Sequence, residues 1–408
     1  MTRDVLVSGA SVAGPMLAYW LREHGFRPVV VERTPAIRAG LGGHAVDLFG
    51  PAVDVAAWTG ILDDVLAVRT ETRVLALEQP GRRTIRVDAE KLAEGFADRS
   101  VEVLRGHLTR ILHERTAGIE YRFGDSIAAL AEDTTGVDVT FAGGDRRRFD
   151  LVVGADGLRS GVRRLVFGEQ PLHFLHGYVA VLGVPAEMTE PGTARVHTAP
   201  GLMIACYPVR DSDEGRAVVV VHREEEAHLD HRDVDAQKAF LRTALAGAGW
   251  EVPRLLEHLD DVEDLYLDSI SQVRMPTWSR GRVTLVGDAG FSPGAAVGGG
   301  TTLAVVSAYV LAGELAAAGG DHTVAFGAYE RRIRPMVEAS WRAGQGATTT
   351  LVPRTERQVA TRARLSALVP RLPRPLRRAL LSIGDGHAKA FNAITLQPYR
   401  PTHLPEHG

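Results

Sequence analysis

The chain has 408 residues, enough for two domains or one large composite domain. Apolar residues make up 45% and charged residues 24%, an ordinary balance for a globular fold, and a net charge of -3 sets up no global field for nucleic acid. The single cysteine, Cys206, excludes an internal disulfide and argues against a cysteine-built metal centre, so no metal site is expected.

The first residues, MTRDVLVSGASVAGPMLAYWL, fit a strand-turn-helix better than a targeting segment. With no long charge-free apolar run either, a cytoplasmic protein without stable membrane association is expected. Residues 5–8 read as a short apolar strand, followed by GASVAG at 9–14, a helix over 15–24 and a second strand over 28–31 that ends at Glu32. This order is a β-α-β unit with an acid at its second strand end, as in dinucleotide-binding folds. Gly9 permits the tight turn, and Gly14 lets the helix lie close to the strand. The helix N-terminus, behind Ser11 and Ala13, offers N–H groups to a pyrophosphate. Ser11 stands where a glycine normally lets the backbone approach the phosphates most closely. Glu32 would accept hydrogen bonds from an adenosine ribose. The unit does not by itself separate NAD from FAD, and a merely structural turn is its alternative.

After Glu32 the alternation stops. A loop rich in Gly and Arg is expected first, then a helix over 51–59; a plain NAD dehydrogenase would continue with βαβ repeats. Residues 101–104 read as a strand end or turn, 105–115 as a helix and 119–149 as β-rich. The apolar strand 150–154 opens into GADGLRSGVRR, where Asp156 would accept hydrogen bonds and Arg159 and Arg163 would supply positive charge to a phosphate. A corner with solvated arginines is the alternative there. The runs YVAVLGV, LMIACYPV and AVVVVH between 172 and 271 are strands, and 234–258 is helical. They suggest a separate antiparallel sheet with a helix on it, able to roof a pocket. His176, Tyr178, His197, Tyr207 and His222 lie on or near those strands and read first as packing or surface residues. Strand 282–286 delivers GDAGFSPGAAVGGGTT, and 303–317 is apolar nearly all round, as a buried helix would be. The basic stretch 354–380 reads first as a solvated helix face, with an anionic membrane or partner as the alternative.

Three motifs in order (GASVAG with Glu32, GADGLRS, and GDA followed by Pro293 and a glycine cluster) together resemble the para-hydroxybenzoate hydroxylase-type, class A FAD-dependent monooxygenases. ERTPAIRAGLGGHAVDLFGPAVDVAAWTGI and LRGHLTRIL look like the tetracycline-modifying branch of that family. The resemblance covers about residues 4–345. It implies an α/β fold of two domains: a Rossmann-like FAD-binding domain from 1–70, 101–171 and 272–345, and a β-sheet substrate domain from 71–100 and 172–271. A C-terminal helical region over 346–408 completes the chain.

The resemblance also implies FAD as cofactor and NADPH or NADH as co-substrate in a transient encounter. O2 would then give a C4a-hydroperoxyflavin that hydroxylates an aromatic or polycyclic small molecule. Oxygen transfer itself needs no side-chain base, so no catalytic residue is assigned. By motif, Glu32 should bind the ribose, Arg105 the phosphate or ribityl region, and Asp288 the ribityl chain. Asp47 matches a flavin-side position, and Asp156 sits in a motif linked to both FAD and NAD(P)H. Arg33 and Arg38 are candidates for flavin-phosphate or pyridine-nucleotide contact. Gly298, Gly299 and Gly300 would bring a second helix N-terminus to the flavin pyrimidine edge. His197, Met203, Tyr207 and His222 are the candidates for a substrate pocket. Phe291, Ala295, Gly299 and Thr302 depart from the residues usual in this family. Epoxidation, Baeyer–Villiger-type insertion, a flavin-bound non-redox cyclase and a ligand-binding protein are the competing readings. Monomer and homodimer both remain open.

Overall fold

A computed structural model describes residues 3–37, 44–89, 100–210, 212–227, 229–230, 233–262, 265–295, 298–368, 372–373 and 394–399. Arg38 and most of 374–408 lie outside that set. Two large sheets organise the chain. The first has six strands in the order 279–280, 283–285, 151–154, 4–8, 27–32 and 120–123, all paired in parallel except the first two. Asp4–Ser8 and Leu151–Gly154 are almost wholly buried, which explains why both read as unbroken apolar runs and not as alternating ones. Helix Ala13–Glu23 follows the first strand and packs on helix Gly300–Ala317. The latter is long and apolar enough to cross a membrane by length and composition, yet 78% of it is buried inside the protein. Burial on all sides accounts for its composition.

The second sheet has seven strands, in the order 266–273, 172–185, 214–222, 202–208, 193–199, 74–78 and 85–88. Helices Val234–Leu245 and Val252–His258 cover one face, where Leu241, Leu245 and Leu255 join Ile204, Cys206 and Val219 in a core of their own. The sheet is mixed and not purely antiparallel, because Thr193–Ala199 pairs in parallel with Val74–Glu78. The expected single helix is two, separated at Gly247–Trp250, where Trp250 adopts a left-handed φ of 62°.

One expected loop is a strand. Ala45–Phe49 pairs antiparallel with Ser100–Leu104 in a two-stranded ribbon. Val46 and Leu48 point into the core around the first sheet while Ala45 and Asp47 take the other side. Five residues behind a glycine-rich lead carry too little periodicity to announce that strand.

Candidate functional site

The N-terminal turn is built against the second motif. Gly9 has φ +112°, and a Cβ there would stand 2.4 Å from the Ala155 carbonyl oxygen; a Cβ at Gly14 would stand 1.8 Å from that of Gly9. Only glycine fits both positions. Helix Ala13–Glu23 begins at Val12 with no side-chain cap, so no side chain competes for its first N–H groups. At the end of the next strand, Glu32 accepts from Ala10 N at 2.8 Å and from Thr34 N at 2.9 Å. Its carboxylate thus lies at the mouth of the turn, where an adenosine ribose would come. The Ser11 hydroxyl receives the Arg105 guanidinium, at 3.2 Å from Nε and 3.1 Å from Nη2. Arg33 is exposed.

The GADG turn holds itself together. Asp156 accepts from Ser160 Oγ at 2.5 Å, Gly161 N at 2.8 Å and Val162 N at 3.1 Å, and so caps helix Gly161–Phe167. Burial raises its pKa, and those three donors oppose the rise. Arg163 is neither solvated nor free for a phosphate. It is 6% exposed and donates to Ala289 O at 2.7 Å and Leu158 O at 2.6 Å. Arg159 is paired with Asp268 at 2.6 Å. Both arginines therefore tie the turn to neighbouring elements, and neither is a spare positive charge.

The late glycine-rich loop closes against the first turn. A Cβ at Gly287, which has φ +59°, would meet the Cβ atoms of Ala13 and Ala304, each at 3.5 Å. The two glycine turns therefore share one wall. Asp288 heads the short helix Asp288–Phe291. It is open to water and yet enclosed by protein, the situation of a carboxyl on the floor of a deep cleft. Enclosure raises its pKa, and the nearby Arg105 charge lowers it. A side chain at Gly300 would begin 3.8 Å from Asp288 Oδ1 and 3.9 Å from Pro293 Cγ, so glycine leaves the space before the carboxyl clear. Helix Gly300–Ala317 starts from Gly299 without a side-chain cap. Asp288, Arg105 and Ser11 thus come together beside two uncapped helix ends, around the space that Gly300 keeps clear.

Asp47 lies on the ribbon beside this space. Thr302 Oγ accepts from Phe49 N at 2.9 Å and donates to Asp47 O at 3.1 Å, joining the ribbon to the first turn of helix Gly300–Ala317. Burial, with Glu102 next to it, pushes the Asp47 carboxyl up to about 7. Burial and the Arg105 charge push His44 down to about 4. His44 sits inside the quoted GGHAVD stretch without a role assigned to it, and Glu102 belongs to no motif. Glu102 could have been found only from the alternation of VEVL, which sets it opposite Val101 and Val103.

The second sheet turns its other face towards the ribbon. Tyr207 Oη accepts from Ala45 N at 3.1 Å, and its ring packs with Leu104, Ala194 and Val209. Met203 lies on the same face, with Val179, Val220, Ile270 and Tyr266. Tyr266, which no motif marks, stands 6.4 Å from His44 between ring centroids; burial pushes its hydroxyl up to about 12. Segment 347–352 covers one end of the face through Val352 and through Thr348, which donates to Leu175 O at 2.7 Å. His222 is at that end, its Nε2 3.1 Å from Glu224 Oε1.

His197 is not on this face. It is 2% exposed, stacked on Trp250 with centroids 5.4 Å apart, and paired across the strands with Ile204 on the helix-covered side. Its Nδ1 lies 3.0 Å from Glu78 O, so it serves the helix-to-sheet junction and not the pocket. A separate cavity of about 480 Å³, lined by Arg3, His24, Phe26, Gly320 and Tyr399 among others, lies at the opposite ends of the parallel strands. It is remote from all these groups, and ligands of open α/β sheets bind at the carboxyl ends.

The FAD binding domain family matches residues 2–343. An uncharacterised protein of Mycobacterium tuberculosis is 40% identical over 342 residues, covering 82% of this chain and 91% of the relative. A flavin-dependent monooxygenase of Legionella longbeachae is 36% identical over 346 residues, covering 83% and 87%. The crystal structure of tetracycline destructase Tet(51) superposes with a TM-score of 0.84 at 30% identity, covering 98% of this chain and all of that one. The chain belongs to the FAD binding domain family, as a class A FAD-dependent monooxygenase similar to the tetracycline destructases.

Proposed function

We propose that this monooxygenase takes electrons from NADPH or NADH and hydroxylates an aromatic or polycyclic small molecule with O2. The overall balance is NAD(P)H, a proton, O2 and substrate going to NAD(P)+, water and hydroxylated product. The observation that carries the proposal is the meeting of Asp288, Arg105 and Ser11 under an apolar sheet face bearing Met203, Val220 and Tyr266. When bound, FAD supplies the electron relay and the activation of oxygen.

The chain's own residues do the rest. Glu32 holds the ribose, the uncapped N-terminus behind Ser11 receives the pyrophosphate beside Arg105, and Asp288 accepts from ribityl hydroxyls. The N-terminus of helix Gly300–Ala317 favours negative charge at the flavin pyrimidine edge. The apolar face of the second sheet excludes water from the reacting atoms. Tet(51) is named for tetracycline, which supports a flat polycyclic substrate for this cleft.

A screen of aromatic compounds for stimulated NAD(P)H oxidation tests the reading. A stimulating compound whose product gains one oxygen supports it. A flavin that stays oxidised with both nucleotides and every compound counts against it and towards a non-redox role.

A further inference from the structure

Asp47 and Glu102 are cross-strand partners in the ribbon, so their side chains leave the same face. That face is opposite the one that buries Val46, Leu48, Val101 and Val103, and it is shared with Ala45 and Leu104, which pack on Tyr207. Both acids are partly open to water in the wall of the cleft. Glu102 Oε1 accepts from Thr70 Oγ1 at 2.9 Å. The Asp47 carboxyl has no hydrogen-bond partner among the described residues, while its backbone is pinned by Thr302.

The surrounding charged and titratable groups do not neutralise the pair. Arg105 is turned to Ser11, the Arg69 side chain is exposed, and Arg216, cross-strand from Tyr207, pairs with Glu214 at 3.4 Å and donates to Gly215 O. His44 is kept neutral by burial and by Arg105. Tyr207 is held as a phenol, pushed up to about 12 by burial. No arginine or lysine hydrogen-bonds to either acid among the described residues.

Two neighbouring carboxylates in a poorly solvated wall without a cation cannot both ionise cheaply, so one proton stays. We infer that Glu102 is a positioning residue that keeps this proton on Asp47, so that Asp47 meets the bound flavin as a hydrogen-bond donor. The inference rests on the placement of the flavin pyrimidine edge at the N-terminus of helix Gly300–Ala317 proposed above, because Thr302 in the first turn of that helix holds Asp47. A flavin pyrimidine ring presents mainly acceptors, and the reduced ring carries negative charge. An ionised Asp47 would repel both. Burial and Glu102 act in the same direction on Asp47, and burial raises Glu102 as well.

The test is FAD affinity of the full-length apoprotein, read from flavin fluorescence between about pH 6 and about pH 9. Wild type should bind less tightly as pH rises above about 7, by up to about tenfold per unit, because ionised Asp47 must take up a proton to bind. E102Q should move this fall to lower pH and weaken binding about three- to tenfold at pH 7.5, while E102D restores the profile. D47N should bind with a flat profile. A flat wild-type profile, or an E102Q effect of the same factor at every pH, would overturn the inference. Should E102Q fail to fold, calorimetry of the wild type in buffers of different ionisation enthalpy decides: proton uptake supports the inference and none overturns it. Absence of FAD binding at every pH would instead overturn the flavin reading beneath it.

Discussion

The Arg105 guanidinium rests on the Ser11 hydroxyl, 3.2 Å from Nε and 3.1 Å from Nη2. Ser11 is where the fingerprint usually has glycine, and the contact shows what the hydroxyl adds. It parks a fixed positive charge at the mouth of the GASVAG turn, from a helix that begins almost a hundred residues later. R105A should weaken FAD binding by about 10- to 100-fold, the worth of one to two charge-assisted hydrogen bonds. S11G should cost only a few-fold, since the backbone site survives. Fluorescence titration of the apoprotein measures both.

Arg163 separates a structural arginine from Arg105, the one proposed to bind the cofactor. It is buried and donates to two backbone carbonyls, of Ala289 and Leu158, that would lose their partner. R163M should destabilise the apoprotein by about 2–4 kcal/mol in urea unfolding. R105A should leave apoprotein stability within about 1 kcal/mol, because Arg105 is only part-buried and meets one hydroxyl.

Asp47 carries a stability cost with a defined sign. Its folded-state pKa, about 7, lies above the ordinary value of 3.8, so the folded state holds the proton more tightly than the unfolded chain. Its stabilising contribution is complete below about pH 4 and is lost as pH rises through about 7. D47N should therefore raise the melting temperature of the apoprotein at pH 8, by the equivalent of up to about 4 kcal/mol, and change it little at pH 4. An equal effect at both pH values would contradict this account.

Two candidates for the pocket should behave differently. Met203 lies on the face turned to the ribbon, and His197 on the face covered by helices. M203W should raise KM for a stimulating substrate at least about fivefold with FAD affinity intact, through lost space. H197A should leave KM unchanged and lower stability by about 1–3 kcal/mol, through the lost stack on Trp250 and the lost Glu78 contact.

What could be read from the chain follows from how local its cause was. The strand-turn-helix at 4–23 and the buried helix 300–317 announce themselves because apolar periodicity and glycine placement are set by neighbours in sequence. Ala45–Phe49 was hidden because its pairing with Ser100–Leu104 spans more than fifty residues. Strand 74–78 joins the second sheet through 193–199, more than a hundred residues on, and 85–88 pairs locally with it, in the stretch 71–100 that the family resemblance assigns to that sheet. Arg163 and Asp156 looked like ligand groups because charge beside glycine has the same appearance whether it faces a phosphate or a backbone carbonyl. Only the packed turn shows their partners. Glu102, His44 and Tyr266 gain their meaning from the cleft alone, since each comes from a different segment of chain.

The central claim is oxygen insertion driven by a nicotinamide nucleotide, and its most direct test is the product mass under isotopically labelled dioxygen. The holoenzyme with NADPH or NADH and a stimulating aromatic compound should give a product heavier by one labelled oxygen atom. A product of unchanged mass, or one whose new oxygen comes from water, would contradict it.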